Sequence, residues 1–345
     1  MAERSQLSAP GSLQNTAGIT RSATSLPGQP LAELAAQHKL RPSAQRPALM
    51  AYLGKLWQRR HFIMAYATAR NVSMYTDARL GQVWQVLTPL LNVAVYYLIF
   101  GVLFKANRGV EHYIAFLVIG VFIFTFTERS LLVGSRVMHN NLSLIRALQF
   151  PRASLPLAYV IVELQQLMLS MVVMFVIVLV QGEPLTWYWF LAVPVLLLQT
   201  LFNIGASLII ARVGAELNDV SQLVPFLTRV WRYFCGVMYS IATLPATLPL
   251  WAKEILQLNP AAVYISLMRL AVMQSQRTNA AGAKPYSAAG CAYFHTHLTD
   301  YGAQAFCHPE VTLPELWLAG VGWALIALLV GIVYFWRAEA RYGRG

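Results

Sequence analysis

Arg229 and Arg232 stand three residues apart in an otherwise apolar stretch, a spacing that puts both on one face of a helix. Ionisable groups at membrane depth cost about 2.5–3.5 kcal/mol each on insertion scales, so they call for a partner or a task. Two readings fit. Either the pair lines a polar conduit and contacts hydroxyls or phosphates of a passing chain, or the helix enters lower and both side chains snorkel to the interface. Glu128, Arg129 and Glu163 raise the same question, and a Glu163–Arg229 ion pair is one answer. A proton relay through Glu163 would need a second carboxylate or a His beside it. Tyr96, Tyr97, Phe100 and Phe104 cluster in one apolar run; Trp231, Tyr233, Phe234 and Tyr239 cluster in another. Flat rings can stack on sugar C–H faces without fixing a register, although packing is the ordinary use of any single ring. The sequence has no Gly-x4-Gly-Lys-[Ser/Thr] loop to cradle nucleotide phosphates. Its Cys and His spacings match no zinc pattern. No cofactor or metal is expected on this chain, and its energy must come from a separate subunit or an ion gradient.

These residues ride on long apolar segments, near 85–104, 113–134, 154–180, 186–211, 222–243 and 314–336. Each approaches or exceeds the ~20 residues a helix needs to cross about 30 Å of hydrocarbon. Backbone polar groups must be satisfied within a lipid-embedded segment, so the runs have to be helices. Only 12% of the 345 residues are charged and 57% are hydrophobic, against about a quarter charged in soluble domains. The net charge of +12 suits cytoplasmic loops and lipid headgroups; no basic patch is interleaved with stacking aromatics outside the spans, so nucleic acid is not an expected partner. A membrane-embedded transferase would need acidic or His residues clustered at one membrane face, and the sequence scatters them. The expected fold is an all-α polytopic membrane protein with six transmembrane helices, an N-terminal amphipathic interfacial helix and a re-entrant helical hairpin before the last span.

Along the chain, 1–47 reads as a disordered cytoplasmic tail without the apolar core of a signal peptide. Segment 48–80 holds the interfacial helix and the approach to span one. There Leu49, Leu53, Leu56, Ile63 and Ala67 recur at helical spacing, Lys55, Arg59 and Arg60 crowd the remaining surface, and Trp57 and Tyr66 suit headgroup level. Spans one to five fill 81–244. Between spans two and three, in 135–152, Met138, Leu142, Ile145 and Leu148 make one apolar face of a short helix flanked by Arg136, His139, Asn140 and Arg146. Such a helix could plug into a groove on an ATPase, which favours the separate-subunit source of energy. In 245–275, Pro245, Pro249 and Pro260 forbid a straight span and favour two short re-entrant helices broken near Asn259-Pro260. Segment 276–313 is an extracytoplasmic loop, and 314–345 holds the last span and a cytoplasmic C-terminus. Arg136, Arg146, Arg152, Arg212, Arg337, Arg341 and Arg344 fall on one side; Lys105, Arg108 and Glu183 fall on the other, so both termini are expected in the cytoplasm. Cys235 reads as a small buried hydrophobe.

The chain resembles the membrane subunit of ABC-2 (type V) exporters, in the branch that exports polysaccharide, O-antigen or teichoic acid. The resemblance covers roughly 60–275 and the last span. It rests on Arg79-Leu80-Gly81 with Trp84 and Pro89; on Asn141, Leu144, Ile145 and Phe150-Pro151-Arg152; and on Asp219, Pro225, Trp231, Tyr239, Pro245, Asn259-Pro260 and Arg269. It departs where Asn218-Asp219 replaces the family's frequent Arg-Asp pair, where Cys235-Gly236-Val237 replaces Ser-Pro-Val, and in its longer outer loop. The resemblance implies a homodimer with two cytoplasmic ATPase subunits, which carry the ATP and Mg2+, in the cytoplasmic membrane. It implies a coupling helix that meets the ATPase through Met138, Asn141, Leu142, Ile145, Arg146, Phe150 and Arg152. An aromatic-lined conduit for a lipid-linked polysaccharide would draw on Tyr96, Tyr97, Phe100, Glu163, Arg229, Trp231, Arg232 and Tyr239. Export of small hydrophobic molecules, or gradient-driven transport, are the competing expectations.

Cys291 and Cys307 share the outer loop, where an oxidising compartment would favour a disulfide between them. Without reductant both thiols should resist maleimide labelling in intact cells, and ready labelling of either refutes the bridge.

Overall fold

Long, almost uncharged helices dominate the computed structural model, which describes residues 48–74, 81, 83–104, 112–147, 150–217, 219–241, 250–275 and 313–339. The 1–47 tail, Arg79, Leu80, Lys105, Arg108, Leu148, Asn218, Pro245, Pro249, the loop bearing Cys291 and Cys307, and Arg341 and Arg344 lie outside these residues. The described residues contain eleven α-helices. Two short amphipathic helices come first, α1 (Leu49–Gln58) and α2 (Arg60–Ser73). Tyr52, Ile63 and Ala67 turn inward while Lys55, Trp57, Arg59, Arg60 and Met64 stay exposed. Ile63 and Ala67 pack on Ala158 and Val162, which fixes α2 lengthwise on a neighbouring span.

Among the described residues, five helices are long and apolar enough to cross a bilayer. The first is α3 (Val83–Tyr96), extended by π-helical turns over Tyr97–Leu103. Next are α4 (Tyr113–Asn140) and, after the six-residue α5 (Leu142–Ala147), α6 (Ser154–Val180). A 3-10 turn at Trp187–Leu191 leads into α7 (Ala192–Glu216), and α11 (Leu313–Arg337) comes last. Helix α4 is the most enclosed of the five, with a face to α3, α6, α7 and α8 alike, and a helix apolar all round suits that central place. The multi-pass membrane character expected from the sequence is therefore present.

The fifth expected span, 222–243, takes a different form. Its helix α8 (Val220–Phe234) has 15 residues, short of a full crossing, and stops before Gly236, which adopts φ +62°. That left-handed conformation suits glycine and ends the helix. The segment still runs alongside most of α4. Arg136 donates to the Ser221 carbonyl (3.0 Å) and Tyr113 donates to the Met238 carbonyl (2.6 Å); on α4 those two residues are about 35 Å apart.

The hairpin follows. Helices α9 (Leu250–Leu258) and α10 (Pro260–Val272) meet at a 74° bend. Asn259 caps α10 by accepting from the Ala261 amide, with Pro260 at the first helical position. The bend lies deep: Asn259 accepts from Trp231 of α8 (2.8 Å), and Trp323, in the middle of α11, donates to the Leu258 carbonyl (2.8 Å). By Arg269 the chain has returned to the Tyr113 end, where its guanidinium donates to the carbonyls of Phe116, Gly236 and Val237. Asn259 thus lies deeper than Met238, and α10 climbs back from it toward the Met238 end, as a re-entrant hairpin does.

Small residues let the helices approach closely. A Cβ at Gly205 of α7 would collide with the Ala327 backbone of α11, one at Gly331 with the Gly205 backbone, and one at Gly214 with the Ser135 carbonyl of α4. Such contacts suit spans that associate by packing rather than by escape from water. Gly205→Leu should lower the apparent Tm of the detergent-purified protein by about 5 °C or more. Gly322→Leu, where nothing lies within 4 Å, should leave it unchanged.

Candidate translocation face and coupling loop

Arg232 reaches across from α8 to α4 and α3. Its guanidinium forms an ion pair with Glu128, donates to the Tyr96 hydroxyl (2.7 Å) and lies 5.3 Å from the centre of the Phe124 ring. It therefore joins three helices. The expected Glu163–Arg229 pair does not form. Arg229 occupies the exposed side of α8 with Phe226 and Tyr233 and makes no ion pair among the described residues. Sequence spacing put Arg229 and Arg232 on one helix face, but the face is wide enough to send one inward and one outward.

Glu163 is buried elsewhere, in a cavity of about 20 Å³ lined by Gln85, Thr125, Arg129, Gln166 and Ser170. That is room for one water, and Thr125 Oγ1 has no protein partner there. Arg129 donates to Gln166 (2.9 Å). A polar seam continues from Gln85 through Asn71 to Gln165, tying α3, α2 and α6 together. The sequence reading missed these glutamines, because an uncharged amide in an apolar run gives no charge signal.

The remaining expected conduit residues divide by their packing. Trp231 packs edge-on against Phe124 and donates to Asn259, so it faces the hairpin. Tyr96 serves Arg232, Phe100 packs on Phe104, and Tyr239 donates to the Tyr233 carbonyl. Tyr97 is exposed at 37% and neighbours Tyr113.

At the opposite end of α4, α5 projects between two anchors. Before it, Asn141 is buried; it donates to the Val137 carbonyl (2.8 Å) and accepts from Tyr66 of α2 (3.1 Å). Burial and a hydrogen bond with Tyr159 push the Tyr66 phenol up to about 12. After it, Phe150 packs on Phe62, and the Arg152 amide donates to Glu339 (3.0 Å), which also accepts from Tyr52 (2.9 Å). The Arg152 guanidinium donates to the Glu339 carbonyl as well. Burial raises the Glu339 carboxyl above its usual range, and the donors from Arg152 and Tyr52 offset this in part.

The apolar face expected to meet an ATPase is split by this arrangement. Met138 and Ile145 turn inward into a cluster with Tyr52, Leu155 and Tyr159. Leu142, Ser143 and Arg146 remain exposed, beside His139 and Asn140. Asn141, Phe150 and Arg152 hold the loop in place rather than presenting themselves at its surface.

The profile of the ABC-2 type transporter family matches residues 62–273, which covers more than half of the chain. The chain belongs to the ABC-2 type transporter family. It is similar to the O-antigen export system permease protein of Myxococcus xanthus, 25% identical over 190 residues, or 55% of this chain and 72% of that protein. A Klebsiella pneumoniae protein of the same description is 26% identical over 174 residues, 50% of this chain and 66% of that protein. Another from Klebsiella pneumoniae is 24% identical over an equal length. In this ABC-2 chain the family match runs from α2 to the end of α10, so it takes in the loop bearing α5, the Glu128–Arg232 pair and Arg269.

Removing one side of a buried ion pair costs about 3–5 kcal/mol because the other charge is stranded. Glu128→Gln and Arg232→Gln should therefore each lower the Tm more than the double variant does. Additive losses in that cycle would show that the pair has no coupling.

Proposed function

We propose that this chain is the permease subunit of an ATP-driven exporter that moves a lipid-linked cell-envelope polysaccharide across the cytoplasmic membrane. Two copies would enclose the path, and two separate ATPase subunits carrying ATP and Mg2+ would drive it. The similarity to O-antigen export permeases supports the substrate class. The observation that carries the coupling role is the placement of α5: a short exposed helix pinned on both sides at the ends of two spans. A push on it is delivered to α4 and α6 instead of being absorbed by a slack loop.

Charge distribution supports the orientation. Arg59, Arg60, Arg136, Arg146, Arg152, Arg212 and Arg337 belong to the α5 end, which the positive-inside rule assigns to the cytoplasm, with the helix termini at Leu49 and Arg337 on that side. Arg229 supports the path. It is exposed on α8 about 14 Å from the helix start, and an arginine facing lipid at that depth is costly. An aqueous passage between two copies would hydrate it and give it hydroxyl or phosphate partners.

Leu142→Asp places a carboxylate on the exposed side of α5. The variant should insert normally yet lose ATPase co-purification and polysaccharide export. Retention of both would remove the coupling assignment.

A further inference from the structure

The corner where α1 meets α2 has a composition and placement that the export reading leaves unused. Residues 48–74 hold Lys55, Arg59, Arg60 and Arg70, with His61, and contain no Asp or Glu. Lys55, Arg59, Arg60 and His61 are all exposed around the junction. Large apolar side chains are exposed beside them: Met50 at 79%, Trp57 at 71% and Met64 at 52%. The Arg60 guanidinium lies over the Trp57 ring at 5.4 Å. Since Ile63 and Ala67 are seated on α6, this mixed surface is turned away from the bundle. Cations with no acidic residue in their own segment, interleaved with an indole and two thioethers, complement a phosphate-bearing headgroup above acyl chains.

The same two helices hold both anchors of α5. Tyr66 of α2 bonds Asn141 on one side of it; on the other, Phe62 packs on Phe150, and Tyr52 of α1 bonds Glu339, which accepts from Arg152. Any force that seats the α1–α2 corner therefore acts on the coupling helix at two points. We propose that the Lys55–Arg59–Arg60 corner binds anionic phospholipid headgroups and that its occupancy sets the pose of α5. The regulatory half rests on the reading of α5 as the ATPase contact; the binding half does not.

Native mass spectrometry of the purified chain, supplied with phosphatidylglycerol or phosphatidylcholine, tests the binding half without an ATPase. The wild type should retain phosphatidylglycerol in preference. Lys55→Gln/Arg59→Gln/Arg60→Gln should reduce that preference by roughly fivefold per cation removed, with an unchanged gel-filtration profile. Equal retention of the two lipids, or an undiminished preference in the triple variant, overturns the site. The regulatory half is read on the permease–ATPase complex in nanodiscs of phosphatidylcholine with or without phosphatidylglycerol. Anionic lipid should change the ATPase rate of the wild type. Tyr66→Phe should keep lipid retention but lose that response, and a Tyr66→Phe complex that responds like the wild type overturns the transmission. A complex that fails to assemble refutes the coupling role of α5, and with it the regulatory half, while the lipid count still decides the site.

Discussion

A guanidinium buried among main-chain carbonyls holds one end of this bundle together. Arg269 is 6% exposed, and the carbonyl oxygens of Phe116, Gly236 and Val237 help to make taking its charge out of water tolerable. Its face also lies 3.3 Å from the centre of the Phe116 ring. Three features of the fold meet this requirement. Gly120 leaves α4 bare where a Cβ would strike the guanidinium; Gly236 turns the chain at φ +62° and aims its carbonyl inward; and α10 has to climb back from Asn259 to deliver the side chain. The path of the re-entrant hairpin is the geometry that lets one cation reach acceptors on two separate segments.

Other charges follow the same economy of depth. Arg232 finds Glu128 and Tyr96 rather than lipid. Glu163 and Arg129 share a small cavity with two glutamines and a serine. Most remaining arginines gather at the α5 end, where water and headgroups are near. Arg229, exposed part-way along α8, is the exception that the passage between two copies would explain.

The span positions were legible because twenty-residue apolar runs leave few alternatives: α6 and α11 keep within a residue of the expected bounds, while α4 runs on to Asn140 and α7 to Glu216, past the expected 134 and 211. The hairpin was legible from Pro260, and the amphipathic stretch from the contrast between Ile63 or Ala67 and the adjoining basic residues, although one helix was expected where the chain forms two, broken at Arg59. Partners were not. Along α4 nearly every position is apolar, so periodicity cannot say which side meets α7 and which meets α8; lipid and protein interior reward the same residues. Hence Met138 and Ile145 looked like a docking face although they belong to the core, and Glu128 was not assigned to Arg232. The early end of α8 turned on Gly236 adopting a left-handed backbone, which a single glycine in an apolar run does not announce.

One acceptor atom ties two elements together. Asn259 Oδ1 takes the Trp231 indole proton of α8 while also capping α10, at the very vertex of the 74° bend. A tilt of α8 by an ångström or two must either snap this link or drag the vertex along. In the proposed exporter, α8 and the hairpin would therefore shift together, because a single amide couples them.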